Sequence, residues 1–364
     1  MRAVAALLLL PAVLAAGVSS PQPLSPFSFY NLSTPLSGPC DICTGPDGAL
    51  WVQNILVDKI ARVDPATGDV EEYSIPYTSP PLNASLLSGF TGGRTASACA
   101  IRPGNDGNIY AVSGIRNQFL RINVTTRKID VFTPTPYNPL GDVQPFNDLI
   151  ACPNGMFFSQ TTANVISHFN YASEIFTTYL LPTPLSAALG MIYFKDYLWF
   201  AELLGNKIGR LDPNDSSITE YPLTLSLLGP AVFRAALSNP DRVCFTAFLA
   251  GANGCLNINT GEIEVYPNTG LLPELSLPSE NAKDEREGYE DIIYYSTATQ
   301  NYINILNATS GEIFNIDEPD TLLAEPLSLP IYLDIGINYG PGDAVWFTQA
   351  TENRVGRYCL GMSC

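Results

Sequence analysis

GPCDICTGPDGALWVQNILVDKIARVDPATGDVEEYSIP, residues 38–76, reads as four short strands separated by turn residues. The spacing predicts strands over 39–44, 48–54, 59–64 and 70–75. Gly45-Pro46-Asp47-Gly48 and Asp64-Pro65-Ala66-Thr67-Gly68 are turns by composition. Between them sit Trp, Val, Ile and Tyr, which suit a pleated, packed surface.

The same unit returns along the chain. An aromatic on the second strand is followed nine positions later by an apolar residue on the third: Trp51/Ile60, Tyr110/Phe119, Phe157/Ile166, Trp199/Ile208, Tyr294/Ile303 and Trp346/Val355. Two positions further on stand Arg62, Arg121, His168, Arg210, Ile305 and Arg357. A seventh copy lies between Trp199 and Tyr294, where PDRVCFTA (240–247) matches KDYLWFAE (195–202). There Cys244 takes the aromatic's place, and Cys255 is read as taking the apolar partner's. Residues opposed on antiparallel strands lie close enough for a disulfide after small adjustment, so a Cys244–Cys255 bridge is expected. Seven units at intervals of roughly 40 to 60 residues define an all-β, seven-bladed propeller of four-stranded blades. The lone strand FSFYNL (27–32) precedes the first unit, and the last unit lacks a fourth strand. The two deficits fit together if the N-terminal strand completes the last blade and closes the ring.

The domain is expected to span 26–364, after a signal peptide over 1–20. Arg2, the apolar run 5–16 and the small residues after it carry that reading. The run is too short for a bilayer, which needs about 20 residues. A secreted, extracellular protein without a membrane span is therefore expected. Asn31, Asn83, Asn123, Asn214 and Asn307 head Asn-x-Ser/Thr triplets and are candidate glycosylation sites. The eight cysteines, Cys40-Asp-Ile-Cys43 included, are read as disulfide-forming rather than as a metal or redox motif. Formal charge is −17, from 18 Lys+Arg against 35 Asp+Glu. That sign excludes nucleic acid and anionic membranes as partners recognised by a basic patch. The protein is expected to be a monomer with a small-molecule ligand.

First strands begin, and second strands end, on one face around the central channel, which we call the top. Three residues after each second-strand aromatic position come Asn54, Ser113, Gln160, Glu202, Ala247, Thr297 and Gln349. Near the first-strand starts stand Asp41, Asn147, Asp148, Arg234 and Asp334. Asp41, Asp148, Glu202, Asp334 and Gln349 are the candidate ligand- or metal-binding set, with Ca²⁺ or Mg²⁺ the expected cation because both take oxygen ligands. The polar first strand of blade six, within 271–290, fits the repeat least well.

DGALWV (47–52), NKIGRLDP (206–213) with ITEYPL (218–223), and VWFTQATENRVGR (345–357) resemble the repeat of the streptogramin B lyase (virginiamycin B lyase) family. Less closely they resemble gluconolactonase-type and NHL-repeat propellers. The likeness covers most of 39–358. It implies a seven-bladed propeller and an enzyme that linearises a cyclic depsipeptide by elimination, using histidine acid–base chemistry and magnesium. This chain departs from that pattern: its single histidine, His168, sits at the third-strand position that holds arginine in four other units. No catalytic histidine is carried over. The two expected functions are a lyase or lactonase acting on a small cyclic ester at the top face, and a non-catalytic extracellular propeller that binds a ligand or protein partner.

Overall fold

The computed structural model describes residues 25–78, 99–142, 147–223, 229–230, 232–238 and 240–361. The signal-peptide segment, the Asn83 acceptor, the side chain of Arg234 and Cys364 lie outside the described residues. Seven four-stranded antiparallel sheets follow one another in chain order, each running from an inner first strand to an outer fourth. Blade one comprises Pro39–Thr44, Leu50–Asn54, Lys59–Val63 and Val70–Ser74. Blade two comprises Ile101–Pro103, Asn108–Ser113, Gln118–Asn123 and Ile129–Phe132, and blade three Leu149–Cys152, Gly155–Gln160, Val165–Asn170 and Phe176–Leu180. Blade four follows with Ala188–Phe194, Tyr197–Glu202, Lys207–Leu211 and Ile218–Pro222. Blade five has Val232–Ser238, Asp241–Ala247, Ala252–Asn257 and Ile263–Pro267, and blade six Pro278–Lys283, Ile292–Thr297, Tyr302–Asn307 and Ile313–Asp317. Blade seven takes Asp334–Gly340, Ala344–Gln349 and Arg354–Cys359 from the end of the chain and Phe27–Asn31 from its start.

That fourth strand pairs Phe27 with Tyr358 and Asn31 with Arg354. The Arg354 guanidinium stacks 3.8 Å over the Phe29 ring. The seam is thus closed by main-chain pairing on a strand that would otherwise offer an open edge.

Each gap between blades is filled by second- and third-strand side chains in a buried apolar cluster, such as Trp51, Ile60, Ile109 and Leu120 between blades one and two. A recurring fit fixes the register. Phe200, Phe245 and Phe347 each bring the far end of the ring against the opposed third-strand glycine, Gly209, Gly254 and Gly356. A Cβ at Gly209 would fall 2.0 Å from the Phe200 ring, so only glycine fits beneath it. Hydroxyls link neighbouring blades: Thr246 donates to the Ser279 carbonyl (2.6 Å), Ser296 to Ile335 (2.7 Å) and Thr348 to Cys40 (2.7 Å).

Two expectations from the sequence change here, and a third is met where the repeat fits least well. The residue facing each second-strand aromatic is eleven positions on, not nine: Trp51 faces Arg62, Tyr110 Arg121, Phe157 His168, Trp199 Arg210 and Trp346 Arg357. Cys244 and Cys255, eleven apart, therefore keep the common register, and Cys255 stands in the arginine position. Their disulfide is present. Not every cysteine forms a disulfide: Cys40 bridges to Cys99, joining the inner strand of blade one to the approach to blade two, while Cys43 and Cys152 stay as buried thiols. The blade-six inner strand is Pro278–Lys283, and its polar residues are buried. Asn281 donates to the Cys244 carbonyl (3.2 Å), and Glu280 enters the channel network described below.

Candidate functional site

The inner strands carry acids at one shared register position, and the channel gathers them. Asp41, Asp148 and Glu280 occupy it in blades one, three and six, opposite or beside the second-strand residue that follows the aromatic by two. Arg102, in the inner strand of blade two, reaches all three. Its Nη1 donates to both Asp41 carboxylate oxygens at 2.6 Å, and its Nη2 lies 3.4 Å from Glu280 and 3.8 Å from Asp148. Each acid also accepts a backbone N–H from the blade that follows it. Ile101 donates to Asp41 (2.8 Å), Met191 to Asp148 (2.8 Å) and Ile337 to Glu280 (3.4 Å). All four side chains are buried. Burial raises the carboxyls of Asp148 and Glu280 well above the usual range, opposed by the Arg102 charge. The cluster therefore works as a tie between blades, with a guanidinium where a free cation would sit.

The other candidates fall elsewhere. Glu202 ends the second strand of blade four beneath the turn at Gly205, where a Cβ would come 2.8 Å from Oε2. Neither carboxylate oxygen has a hydrogen-bond partner among the described residues. Burial, and then the neighbouring Glu220 charge, push its carboxyl up to about 7. Asp334 and Gln349 face each other at the top of blade seven. The Gln349 amide donates to Glu318, whose Oε1, like both Asp334 oxygens, has no partner among the described residues. Burial lifts Glu318 to about 8 and, with the Glu318 charge, raises Asp334 well above the usual range. The five candidates thus divide into three groups rather than one rim. Arg102 and Glu318 escaped the sequence reading because each is a single departure from the repeat, and Glu280 because its inner strand was not placed within the polar segment 271–290. Among the described residues no three or more His, Cys, Asp or Glu side chains are grouped to hold a metal ion.

Two cavities open on the face opposite the top, where first strands finish. One, of about 580 Å³, enters the channel below Arg102 between Asn281, Lys283, Asn338 and Tyr339. The other, of about 340 Å³, lies between blades three and four and reaches Cys152, His168, Tyr179 and Tyr193. His168 is buried against Phe157, with ring centres 4.8 Å apart, and burial lowers it to about 4.

The top face is different in kind. Among the described residues twelve leucines are exposed, and eleven of them lie in its connectors, among them Leu36, Leu185, Leu204, Leu271, Leu322 and Leu329. The twelfth, Leu180, ends the fourth strand of blade three at the same edge. Leu322 is 88% exposed. So even a distribution of leucines over the connectors of most blades makes this face the apolar one.

No protein-family model matches the chain, and no characterised protein matches it by sequence. Solved structures do match over nearly its whole length. A streptogramin B lyase structure shares 22% identity and superposes with a TM-score of 0.72, covering 91% of this chain and 96% of that one. A catalytically inactive histidine-to-alanine variant of virginiamycin B lyase from Staphylococcus aureus, with quinupristin, gives 20% identity and a TM-score of 0.74, covering 92% and 99%. The RRP9 WD40 repeats give 11% and 0.66, covering 92% and 97%. At these identities the likeness is one of fold, and it defines a seven-bladed β-propeller resembling the streptogramin B lyases. Among the described residues no helix is long and apolar enough to cross a membrane. The disulfides are compatible with an extracellular protein.

Proposed function

We propose that this chain is a secreted, non-catalytic propeller that binds a protein partner through its top face. The observation that carries this reading is the leucine-studded rim of that face. Exposed apolar side chains gathered on one face, rather than scattered over the whole surface, are a feature of surfaces that another protein covers. The spread suits an extended contact better than a pocketed small molecule. The channel supports the same reading. Asp41, Asp148 and Glu280 are engaged by Arg102 and by backbone N–H groups, so they are ill placed to abstract a proton. The test is affinity capture from the extracellular fluid of the source organism. Wild type and a Leu271→Ser/Leu322→Ser/Leu323→Ser variant are compared, the three side chains being exposed enough to leave folding intact. A partner held by wild type and lost by the variant supports the proposal; equal capture by both overturns it.

A second reading, a lyase or lactonase acting on a small cyclic ester, is favoured by Glu202. A carboxyl pushed up to about 7 by burial and the Glu220 charge has the proton affinity of a general base. Its burial under the Gly205 turn weighs against it, because a base must touch its substrate. Ring opening of quinupristin, lost on Glu202→Gln, would select this reading.

A further inference from the structure

Blade three differs from blade one at four neighbouring points, and the differences meet in one cleft. In blade one Arg62 faces Trp51 and pairs with Asp47 at 2.8 Å, while Gly45 lies against the Trp51 ring. In blade three the arginine is His168, the tryptophan is Phe157, the turn acid is replaced by Asn154, and a cysteine, Cys152, stands where Gly45 would be. The ion pair is gone from both sides. The shorter imidazole and smaller ring leave the 340 Å³ cavity, whose inner wall carries Cys152 and His168.

The chemistry at that wall is unusual for a structural thiol. Cys152 Sγ lies 3.3 Å from His168 Nε2, 3.3 Å from the Gly155 carbonyl oxygen and 3.4 Å from Asn154 Oδ1. A thiol has one proton; the Gly155 and Asn154 oxygens both accept, and in the tautomer protonated at Nδ1 the His168 Nε2 lone pair makes a third acceptor. Such a surplus of lone pairs suits a cation better than a hydrogen. The spacing agrees. With Zn–S about 2.3 Å and Zn–N about 2.0–2.1 Å at a tetrahedral angle, sulfur and nitrogen on one zinc ion sit about 3.5 Å apart. The observed separation is 3.3 Å, so the two donors need almost no movement.

We propose that Cys152 and His168 form a binding site for a thiophilic divalent cation, Zn²⁺ being the natural occupant, with Asn154 within reach as an oxygen donor. The thiol proton leaves to water as the metal–sulfur bond forms, and neutral Nε2 supplies its lone pair. Two protein donors leave positions open toward the cavity for water or a small ligand. The site is independent of the top face and of the proposed protein partner.

Cobalt is the probe, because thiolate ligation gives Co²⁺ an intense near-ultraviolet charge-transfer band. Titration of the reduced-thiol, disulfide-intact protein with Co²⁺ is expected to raise this band to one equivalent, and Zn²⁺ to erase it. Cys152→Ser should abolish the band, His168→Gln should weaken Co²⁺ binding at least tenfold, and Cys43→Ser should leave both unchanged. A second measurement needs no variant: saturating Zn²⁺ should slow iodoacetamide labelling of Cys152, read by peptide mapping, with Cys43 as the internal control. No band at millimolar Co²⁺, a band that survives Cys152→Ser, or labelling unaffected by Zn²⁺ would each overturn the proposal.

Discussion

Cys244 and Cys255 face each other directly across the second and third strands of blade five and are joined by a disulfide, with Cα atoms 4.0 Å apart. In four other blades the same two positions hold an aromatic and an arginine. The bridge takes the place of that pair in a blade that has lost the ring. Closing an eleven-residue loop contributes about 3 kcal/mol in the chain-entropy estimate. Replacing both cysteines by Ser should lower stability by about that amount in equilibrium urea unfolding. An unchanged midpoint would show that the bridge is dispensable to the blade.

Arg102 should matter more than any surface charge. Arg102→Met would leave Asp41, Asp148 and Glu280 buried together without a cation, and breaking a buried ion pair from one side costs about 3–5 kcal/mol. The expected result is a large loss of stability, or no recoverable folded protein. A midpoint within about 0.5 kcal/mol of wild type would mean that the cluster does not tie the blades.

The sequence carried the blade count, the strand order, the closure by 27–32 and the blade-five disulfide, because each repeats a pattern that can be aligned with itself. The register of Trp51 was misread by two residues, since Ile60 and Arg62 both point from the same strand face and an apolar partner looked the more natural. Arg102 and Glu280 were missed for the opposite reason. Arg102 is a single departure and the strand of Glu280 was not placed, and their convergence depends on three-dimensional closure of the ring, which no spacing along the chain expresses. Cys152 and His168 were visible only as departures, sixteen residues apart, until the strands brought them together.

Acidic pH should stabilise the protein relative to mildly alkaline pH. Glu202 (about 7) and Glu318 (about 8) have folded values above their unfolded ones, as do Asp148, Glu280 and Asp334. A carboxyl of this kind binds more protons folded than unfolded, so stability falls as pH rises from the unfolded toward the folded value. His168, lowered to about 4, acts in the opposite sense but only below about 6.5, where the unfolded chain takes up its proton. Between pH 6.5 and 8.5 the acids act without that opposition. The thermal midpoint should drop across that window, and Glu202→Gln and Glu318→Gln should each flatten the slope. A midpoint that is flat or rising there would contradict the assignment.

Deleting 26–32 should expose the edges of Arg354–Cys359 and leave blade seven with three strands. Aggregation or failure of secretion is expected. A soluble truncation with the wild-type melting temperature would show that this strand does not close the ring.

Incubation with quinupristin tests most directly the claim that this propeller binds without turning over. Because ring-opening elimination conserves mass, the readout is reversed-phase retention together with fragmentation pattern, at equimolar protein, with and without Mg²⁺. The account predicts that quinupristin is recovered cyclic under both conditions. A linear product that forms with wild type and is absent with Glu202→Gln would contradict it and make the chain a lyase.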